Sequence, residues 1–152
     1  MNQFKRIQGK LATFRANSLK SVPRSGTSKL KILVVDNEKL NQLFLVNQLK
    51  KFNISSDIAN NGLEAIAMMA EMNYDVVFMD LEMPVMDGLE ATQKIRAIHG
   101  ENPFIVGYTS HQEDYYHTQC LEAGMNYMIP KKAYHSDLDL LFKNIYKTNL
   151  NE

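Results

Sequence analysis

From residue 30 onwards, hydrophobic positions alternate between short continuous runs and longer stretches with helical spacing. The runs contain many β-branched residues, which is typical of strands that are buried on both faces of a sheet. Five such runs predict five strands, at residues 30–35, 54–59, 74–79, 104–108 and 127–129.

Helical periodicity follows each run. After the first run, for example, Leu40, Leu43 and Leu49 recur at helical spacing, and a more polar helix is predicted from about Gln112 to Ala123. Strands that alternate with helices in this way require a parallel sheet joined by right-handed crossovers. We therefore predict an α/β fold of three layers, built on a doubly wound five-stranded parallel sheet.

The first 29 residues differ in charge from the rest of the chain. They contain seven Lys or Arg and no Asp or Glu, whereas residues 30–152 contain ten basic and seventeen acidic residues. Ser, Pro and Gly cluster at residues 21–28, as in a flexible linker. We predict a basic arm and linker over residues 1–29, one globular domain over residues 30–148 and a short tail over residues 149–152.

Within the basic arm, Phe4, Ile7, Leu11 and Phe14 recur at spacings of three and four residues. A short helix there would carry one apolar stripe among cations. Three interpretations stay open: a disordered or vector-derived leader, a helix that docks or dimerises, and a helix that lies on a membrane surface or targets an organelle.

The composition of the chain argues against several classes of function. The negative charge of the globular part argues against nucleic-acid binding. No apolar run is long enough to cross a bilayer and no signal peptide is evident, so we expect no stable membrane insertion. The lone cysteine, Cys120, cannot form an internal disulfide, and we expect it to be a small buried apolar residue in a cytoplasmic protein.

Polar residues that can take part in catalysis or binding follow four of the predicted strands. Asp36 follows the first strand, Asp80 the third, Thr109 the fourth and Lys131 the fifth. The carboxyl ends of parallel strands lie at one edge of the sheet, where functional groups collect. We therefore expect two acids, a hydroxyl and a lysine to converge there.

Two carboxylates held close together repel each other unless they share a proton or bind a cation. Oxygen ligands without His or Cys favour magnesium over zinc. Asp80 then becomes a candidate nucleophile toward a phosphoryl group, with charge neutralised by the cation and Lys131 and a hydrogen bond donated by Thr109. Each residue alone also has a structural interpretation, such as a helix N-cap or a solvated lysine. Their joint occurrence at four strand ends favours the functional one.

The sequence resembles the response-regulator receiver domains of two-component signalling over roughly residues 30–148. By analogy with chemotaxis receivers, we expect the strand order 2-1-3-4-5. The segments that carry the resemblance are Val76-Val-Phe-Met-Asp80-Leu-Glu-Met-Pro-Val-Met-Asp-Gly88, Ile32-Leu-Val-Val-Asp36, Asn61-Gly62 with Glu64-Ala65, Ile105-Val-Gly-Tyr-Thr109-Ser110, and Gly124-Met-Asn.

The resemblance implies a role for each residue. Asp80 would be the phosphoacceptor, Thr109 the switch hydroxyl and Lys131 the phosphoryl-binding lysine. The donor would be phosphohistidine on a histidine kinase or a histidine phosphotransfer protein. The receiver would promote its own phosphorylation and later hydrolysis, rather than act as a conventional enzyme. Glu82 and His111 occupy positions that tune that hydrolysis, although an exposed histidine without a role is an equal alternative for His111.

The resemblance also implies a magnesium site made by Asp36, Asn37, Asp80 and the backbone carbonyl of Glu82. Family members carry an acid where this chain has Asn37. An amide oxygen still binds a hard cation but adds no negative charge, so we expect weak magnesium binding.

Two further departures from the family concern the fifth strand. The family has Lys followed by Pro, but this chain reads Pro130-Lys131-Lys132. Lys131 has the expected spacing from Gly124, and Lys132 is the alternative. An aromatic residue three positions before the lysine is replaced by Met128, and Tyr127 is one position off and points to the other side of the strand.

Three other functions compete. A flavodoxin-like cofactor binder lacks support because no Gly-rich loop follows the first strand. Asp36 and Glu38 weakly resemble the two acids, two residues apart, of a phosphohydrolase of the haloacid-dehalogenase kind. The serious alternative is a degenerate pseudo-receiver that binds proteins without phosphorylation. As a receiver, the chain would be a single-domain regulator or phosphorelay intermediate, and a fragment cut from a hybrid kinase is the alternative. Output would come from a downstream protein target or a homodimer, because no output domain follows residue 148 in the sequence.

Overall fold

The computed structural model describes residues 29–150 except residues 112 and 134. Residues 1–28 of the predicted basic arm lie outside the described residues, as do residues 151 and 152 of the predicted tail. Among the described residues, none of the helices has the length and apolar character needed to cross a bilayer.

Strands and helices alternate through the described residues, as predicted. The strands are β1 (Ile32–Val35), β2 (Ser56–Ala59), β3 (Val76–Asp80), β4 (Phe104–Thr109) and β5 (Tyr127–Pro130). The helices are α1 (Lys39–Lys50), α2 (Gly62–Glu71), α3 (Gly88–His99), α4 (Asp114–Ala123) and α5 (His135–Leu150).

Several boundaries differ from the predicted ones by a few residues. The backbone N–H of Ile54 donates to the carbonyl of Leu49 in α1 and not to a strand, and β2 begins only at Ser56. Helix α4 begins at Asp114 instead of residue 112, and α5 continues to Leu150, into the segment expected to be a tail.

The sheet has the predicted order β2-β1-β3-β4-β5, and every pair of neighbouring strands is parallel. The fold is therefore the flavodoxin-like α/β arrangement expected from the sequence. In the register of β1 against β3, Val35 lies opposite Met79. The residues that follow these two, Asp36 and Asp80, consequently leave adjacent central strands at the same height.

The two faces of the sheet carry separate apolar clusters. One cluster joins the strands to α1 and α5, and the other joins them to α2, α3 and α4. Cys120 lies in the second cluster, unpaired and fully buried, and burial raises the pKa of its thiol to about 12. The prediction that Cys120 is a buried apolar residue is therefore confirmed.

Helices α2 and α3 begin at side-chain caps. The side chains of Asn61 and Asp87 accept hydrogen bonds from the backbone N–H of Glu64 and Glu90, each three residues further on. Such caps satisfy N–H groups that have no partner within the helix. Gly88 opens α3 directly against the backbone of Asp80, where a Cβ atom would collide with the Asp80 carbonyl oxygen. These contacts hold the loop after β3 in place.

Candidate functional site

The carboxyl edge of the sheet brings together the acidic residues that the sequence placed after β1 and β3. Asp36 and Asp80 are both buried, with at most 1% of their surface exposed. The backbone N–H of Glu38 donates to Asp36 Oδ1 at 2.8 Å, and that of Glu82 donates to Asp80 Oδ1 at 3.4 Å. Backbone contacts therefore hold both carboxylates at the ends of their strands.

Lys131 connects these two carboxylates. Its Nζ lies 3.1 Å from Asp80 Oδ1 and 3.6 Å from Asp36 Oδ2. The side chain of Lys131 is largely buried, whereas Lys132 is exposed. The predicted lysine, Lys131, and not the alternative Lys132, is therefore the one whose ammonium group contacts the acids.

The environment changes the acidity of Asp80. Its pKa is raised from 3.8 to about 6, chiefly by burial and also by the neighbouring charge of Asp36, while Lys131 acts in the opposite direction. Desolvation and a like charge both disfavour the ionised carboxylate. A cation bound at this place would favour ionisation of Asp80, so cation binding and deprotonation of this residue are coupled.

The two carboxylates fit a hard divalent cation. Among the described residues, no group donates a hydrogen bond to Asp36 Oδ2 or Asp80 Oδ2, although both atoms are buried. Buried polar atoms normally have partners. Within the same part of the chain, no three His, Cys, Asp or Glu side chains gather as a metal-binding group. The side-chain ligands are therefore two carboxylates, and backbone, amide or water oxygens would have to complete the coordination of the cation.

Asn37 and Glu82, the other predicted ligands, lie at the exposed margin of the site. Glu82 Oε1 is 2.6 Å from Nε2 of His111, and the His111 ring stacks on Tyr116 at a centroid distance of 4.1 Å. His111 is thus engaged on two sides and is not an isolated surface histidine. The sequence suggested positions for Glu82 and His111 but no contact between them.

Thr109 ends β4 beside the carboxylates and is buried. Its Oγ1 accepts a hydrogen bond from the backbone N–H of His111 at 3.0 Å. The hydroxyl proton of Thr109 remains able to donate to another oxygen. In the register, Thr109 lies opposite Pro130, and its carbonyl accepts the N–H of Lys131 at 2.8 Å.

Residues 127 and 128 of β5 enter opposite faces of the sheet. Tyr127 packs in the cluster with α1 and α5, and Met128 packs in the cluster with α2, α3 and α4. Both are buried. Gly107 makes room for Met128, because a Cβ atom at Gly107 would collide with the Met128 sulfur. The expectation that Tyr127 points away from the Met128 side is confirmed.

Sequence reasoning missed two polar residues that support the site. The Gln42 side chain is buried and donates to the Asp36 carbonyl at 2.6 Å and to Asn60 Oδ1 at 2.9 Å. Gln42 shares the inner face of α1 with Leu45 and Leu49, so a polar residue on an apolar stripe was the available signal. Tyr108 is the second such residue: it is buried, and its hydroxyl accepts a hydrogen bond from the backbone N–H of Lys132. The only signal in the sequence was its position directly before Thr109.

Residues 32–143 match the response regulator receiver domain family. Two-component response regulator 24 of Arabidopsis thaliana is 35% identical over 106 residues, which cover 69% of this chain and 76% of that protein. Sensor histidine kinase RcsC of Escherichia coli is 33% identical over 118 residues, which cover 76% of this chain but 12% of the kinase. The chain therefore spans a small part of the length of its kinase relatives.

Solved structures agree with this result. The receiver domain of sensor histidine kinase PA1611 from Pseudomonas aeruginosa, which has a magnesium ion coordinated in its active site cleft, is 26% identical, with a TM-score of 0.71 and coverage of 79% of this chain and 99% of that one. Chemotaxis protein CheY4 of Vibrio cholerae shares the fold, with 21% identity, a TM-score of 0.72 and coverage of 78% and 99%. By sequence match, fold and strand-end residues, this chain belongs to the response regulator receiver domain family of two-component signalling.

Proposed function

We propose that this receiver accepts a phosphoryl group on Asp80 from a phosphohistidine donor and thereby switches a protein-binding surface. The observation that carries the proposal is the contact of Lys131 Nζ with Asp80, 3.1 Å apart, at the buried end of the central strand. A buried carboxylate beside a fixed ammonium group is suited to attack an electrophilic phosphorus atom.

In the proposed transfer, a carboxylate oxygen of Asp80 forms a bond to phosphorus while the bond between phosphorus and the donor imidazole nitrogen breaks. Phosphoryl transfer depends mainly on positioning and on neutralising the charge of the equatorial oxygens. Lys131 supplies one positive charge, and Thr109 supplies a hydroxyl donor at the end of the adjacent strand. The product is an acyl phosphate, and water hydrolyses it in a later step.

Asp36 and Asp80 would hold a magnesium ion, completed by the Asn37 amide oxygen and the backbone carbonyl of Glu82. When bound, the ion supplies further positive charge to the phosphoryl oxygens. The magnesium site of the PA1611 receiver supports this assignment by analogy. Because Asn37 is neutral, we expect weaker binding than a third carboxylate would give.

The partners proposed here follow from the relatives. Several relatives are histidine kinases or hybrid kinases, so a histidine kinase or a histidine phosphotransfer protein is the proposed donor. Helix α1 begins three residues after Asp36 and exposes Leu40 and Leu43, which offers an apolar surface beside the acceptor. A downstream protein or a second copy of the chain would recognise the phosphorylated form. A cytoplasmic location is part of the same proposal.

The test is incubation with acetyl phosphate at several magnesium concentrations, followed by intact-protein mass measurement. We expect a magnesium-dependent gain of one phosphoryl group that is absent in Asp80→Ala and reaches half-maximum at lower magnesium in Asn37→Asp. Asp87→Ala, an exposed cap residue in the same loop, is the matched control and should remain phosphorylated.

The alternative function is a pseudo-receiver that binds partners without phosphorylation. Its support is the neutral, exposed Asn37 at a position where family members carry an acid. Under this alternative, neither acetyl phosphate nor beryllofluoride alters the native protein at any magnesium concentration. That result would overturn the proposed phosphoacceptor role and direct attention to binding partners.

A further inference from the structure

Two neighbouring residues of β4 hold two successive backbone amides of the loop after β5. The Thr109 carbonyl accepts the N–H of Lys131 at 2.8 Å. The Tyr108 hydroxyl accepts the N–H of Lys132 at 3.3 Å. The first contact extends the pairing of β4 with β5, but the second replaces a backbone partner with a side chain. The hydroxyl of Tyr108 therefore holds the loop that carries Lys131 through a hydrogen bond.

The conformation of the loop is unfavourable by itself and requires a stabilising contact such as this hydrogen bond. Lys132 has φ of 60°, in the left-handed region that residues with a Cβ atom adopt rarely. Such a conformation costs about 1 kcal/mol and persists where surrounding contacts impose it. The Lys132 N–H is partly buried, so loss of its acceptor would leave it poorly satisfied.

The placement of Tyr108 suits this role. Tyr108 is 1% exposed and lies opposite Asp80 on one side and Ile129 on the other. Its ring packs in the cluster with α1 and α5, so its hydroxyl position is fixed by a rigid core. The pKa of Tyr108 is raised to about 12, chiefly by burial and to a lesser degree by the charges of Asp36 and Asp80, while the hydrogen bond from Lys132 lowers it. The hydroxyl thus stays neutral at physiological pH.

We propose that Tyr108 is a positioning residue for Lys131: its hydroxyl holds the Lys132 amide and so keeps the Lys131 ammonium group on the carboxylates of Asp36 and Asp80. Although Tyr108 is the strand neighbour of Asp80, its hydroxyl is engaged by the Lys132 amide, so its proposed role is to position Lys131 and not to react. The functional meaning of this role depends on the proposed phosphorylation of Asp80, whereas the structural effect on Lys131 does not.

The first test measures the accessibility of Lys131 directly. Wild type and Tyr108→Phe are treated briefly with an amine-acetylating ester, and acetylation of Lys131 is quantified by peptide mass spectrometry, with the exposed Lys94 and Lys143 as internal standards. Loss of one hydrogen bond should raise Lys131 labelling about threefold to tenfold. Tyr127→Phe is the matched control, because Tyr127 is a buried tyrosine of β5 whose hydroxyl pairs with Asn144 on α5.

Unchanged Lys131 labelling in Tyr108→Phe overturns the proposal, as does an equal rise in Tyr127→Phe. Hydrogen exchange of the wild-type protein provides a measurement that needs no variant. The Lys132 amide should exchange at least about tenfold more slowly than an unstructured amide. Exchange at the unstructured rate would also overturn the proposal, even if Tyr108→Phe failed to fold.

The second test examines function in a double-mutant cycle. Tyr108→Phe should slow phosphorylation by acetyl phosphate about threefold to tenfold in the native background and have no effect in the Lys131→Ala background, since the residue that Tyr108 positions is then absent. An equal slowing in both backgrounds indicates a general structural role and contradicts the proposal. Failure of wild type to become phosphorylated would reject the proposed function, while the labelling result would still decide the role of Tyr108.

Discussion

The inner site and its rim lie at the same edge of the sheet, yet they differ in burial. The inner site consists of Asp36, Asp80 and Lys131, whose side chains are 0%, 2% and 18% exposed. At the rim, the Glu82 and His111 side chains are 72% and 27% exposed. The rim contact is the shorter, at 2.6 Å against 3.1 Å for Lys131 and Asp80.

Burial, and not distance, should therefore decide how much each of these ion pairs contributes to the free energy of unfolding. Removing one partner of a buried ion pair leaves a charge that neither protein nor water compensates, which is strongly destabilising. At an exposed contact, water replaces the lost partner and salt screens the interaction. The inner site should therefore dominate both stability and chemistry, and the rim should modulate them weakly.

The largest effect on stability is expected from Lys131→Ala. The variant leaves two buried carboxylates without a counter-charge, and we expect a loss of about 3 kcal/mol in the free energy of unfolding at neutral pH. Urea unfolding measures this quantity. Lys143→Ala is the control, since Lys143 lies 2.7 Å from Asp139 in an exposed pair and should cost less than about 1 kcal/mol. Similar losses in both variants would contradict the role assigned to burial.

A change of opposite sign is expected from Asp80→Asn. Because the folded pKa of Asp80 is about 6, above its ordinary value of 3.8, ionisation of Asp80 destabilises the fold as pH rises through about 6. Asp80→Asn removes this cost while Lys131 keeps Asp36, 3.6 Å away, as its counter-charge. The variant should therefore be more stable by up to about 3 kcal/mol above that pH, with no gain below about pH 4.

Urea unfolding across this pH range, without magnesium, checks the prediction for Asp80. Asp139→Asn, which alters an exposed acid of α5, is the control and should show no comparable gain. A constant difference between Asp80→Asn and wild type at all pH values would show that desolvation of the Asp80 carboxylate is not the cause.

A smaller effect is expected from Asn37→Asp, which adds a carboxylate at the exposed margin of the inner site. We expect magnesium affinity to rise about tenfold, since affinity for hard cations follows the charge of the ligands. Calorimetric titration measures the affinity directly. Asn73→Asp adds the same charge elsewhere on the surface and should leave the affinity unchanged. An equal gain in both variants would indicate a diffuse charge effect.

The smallest effect is expected at the rim. A double-mutant cycle with Glu82→Ala and His111→Ala should give a coupling energy of less than about 1 kcal/mol, and high salt should reduce it. Thermal or urea unfolding at low and high salt provides the values. Coupling as large as the loss in Lys131→Ala would show that the Glu82–His111 contact is shielded from water, and the contrast between rim and inner site would fail.

Much of the inner site was predictable because it depends on local patterns. Continuous apolar runs marked the strands, and parallel strands bring their carboxyl ends to one edge. Asp36, Asp80 and Thr109 could therefore be placed together before any coordinates were known. Element boundaries were less predictable, as Ile54 shows, because its backbone N–H bonds to Leu49 of α1 and its apolar side chain gives no sign of that contact.

The alternation of strands and helices, the α/β class and the residues at the strand ends were all predictable, because periodicity and strand polarity act over short stretches of chain. Only the tertiary structure decided that Lys131 rather than Lys132 reaches the acids, that Glu82 meets His111, and that Tyr108 holds the loop after β5. These contacts join residues between 24 and 95 positions apart. They depend on side-chain direction, burial and the local dielectric, which arise only when the whole sheet is assembled.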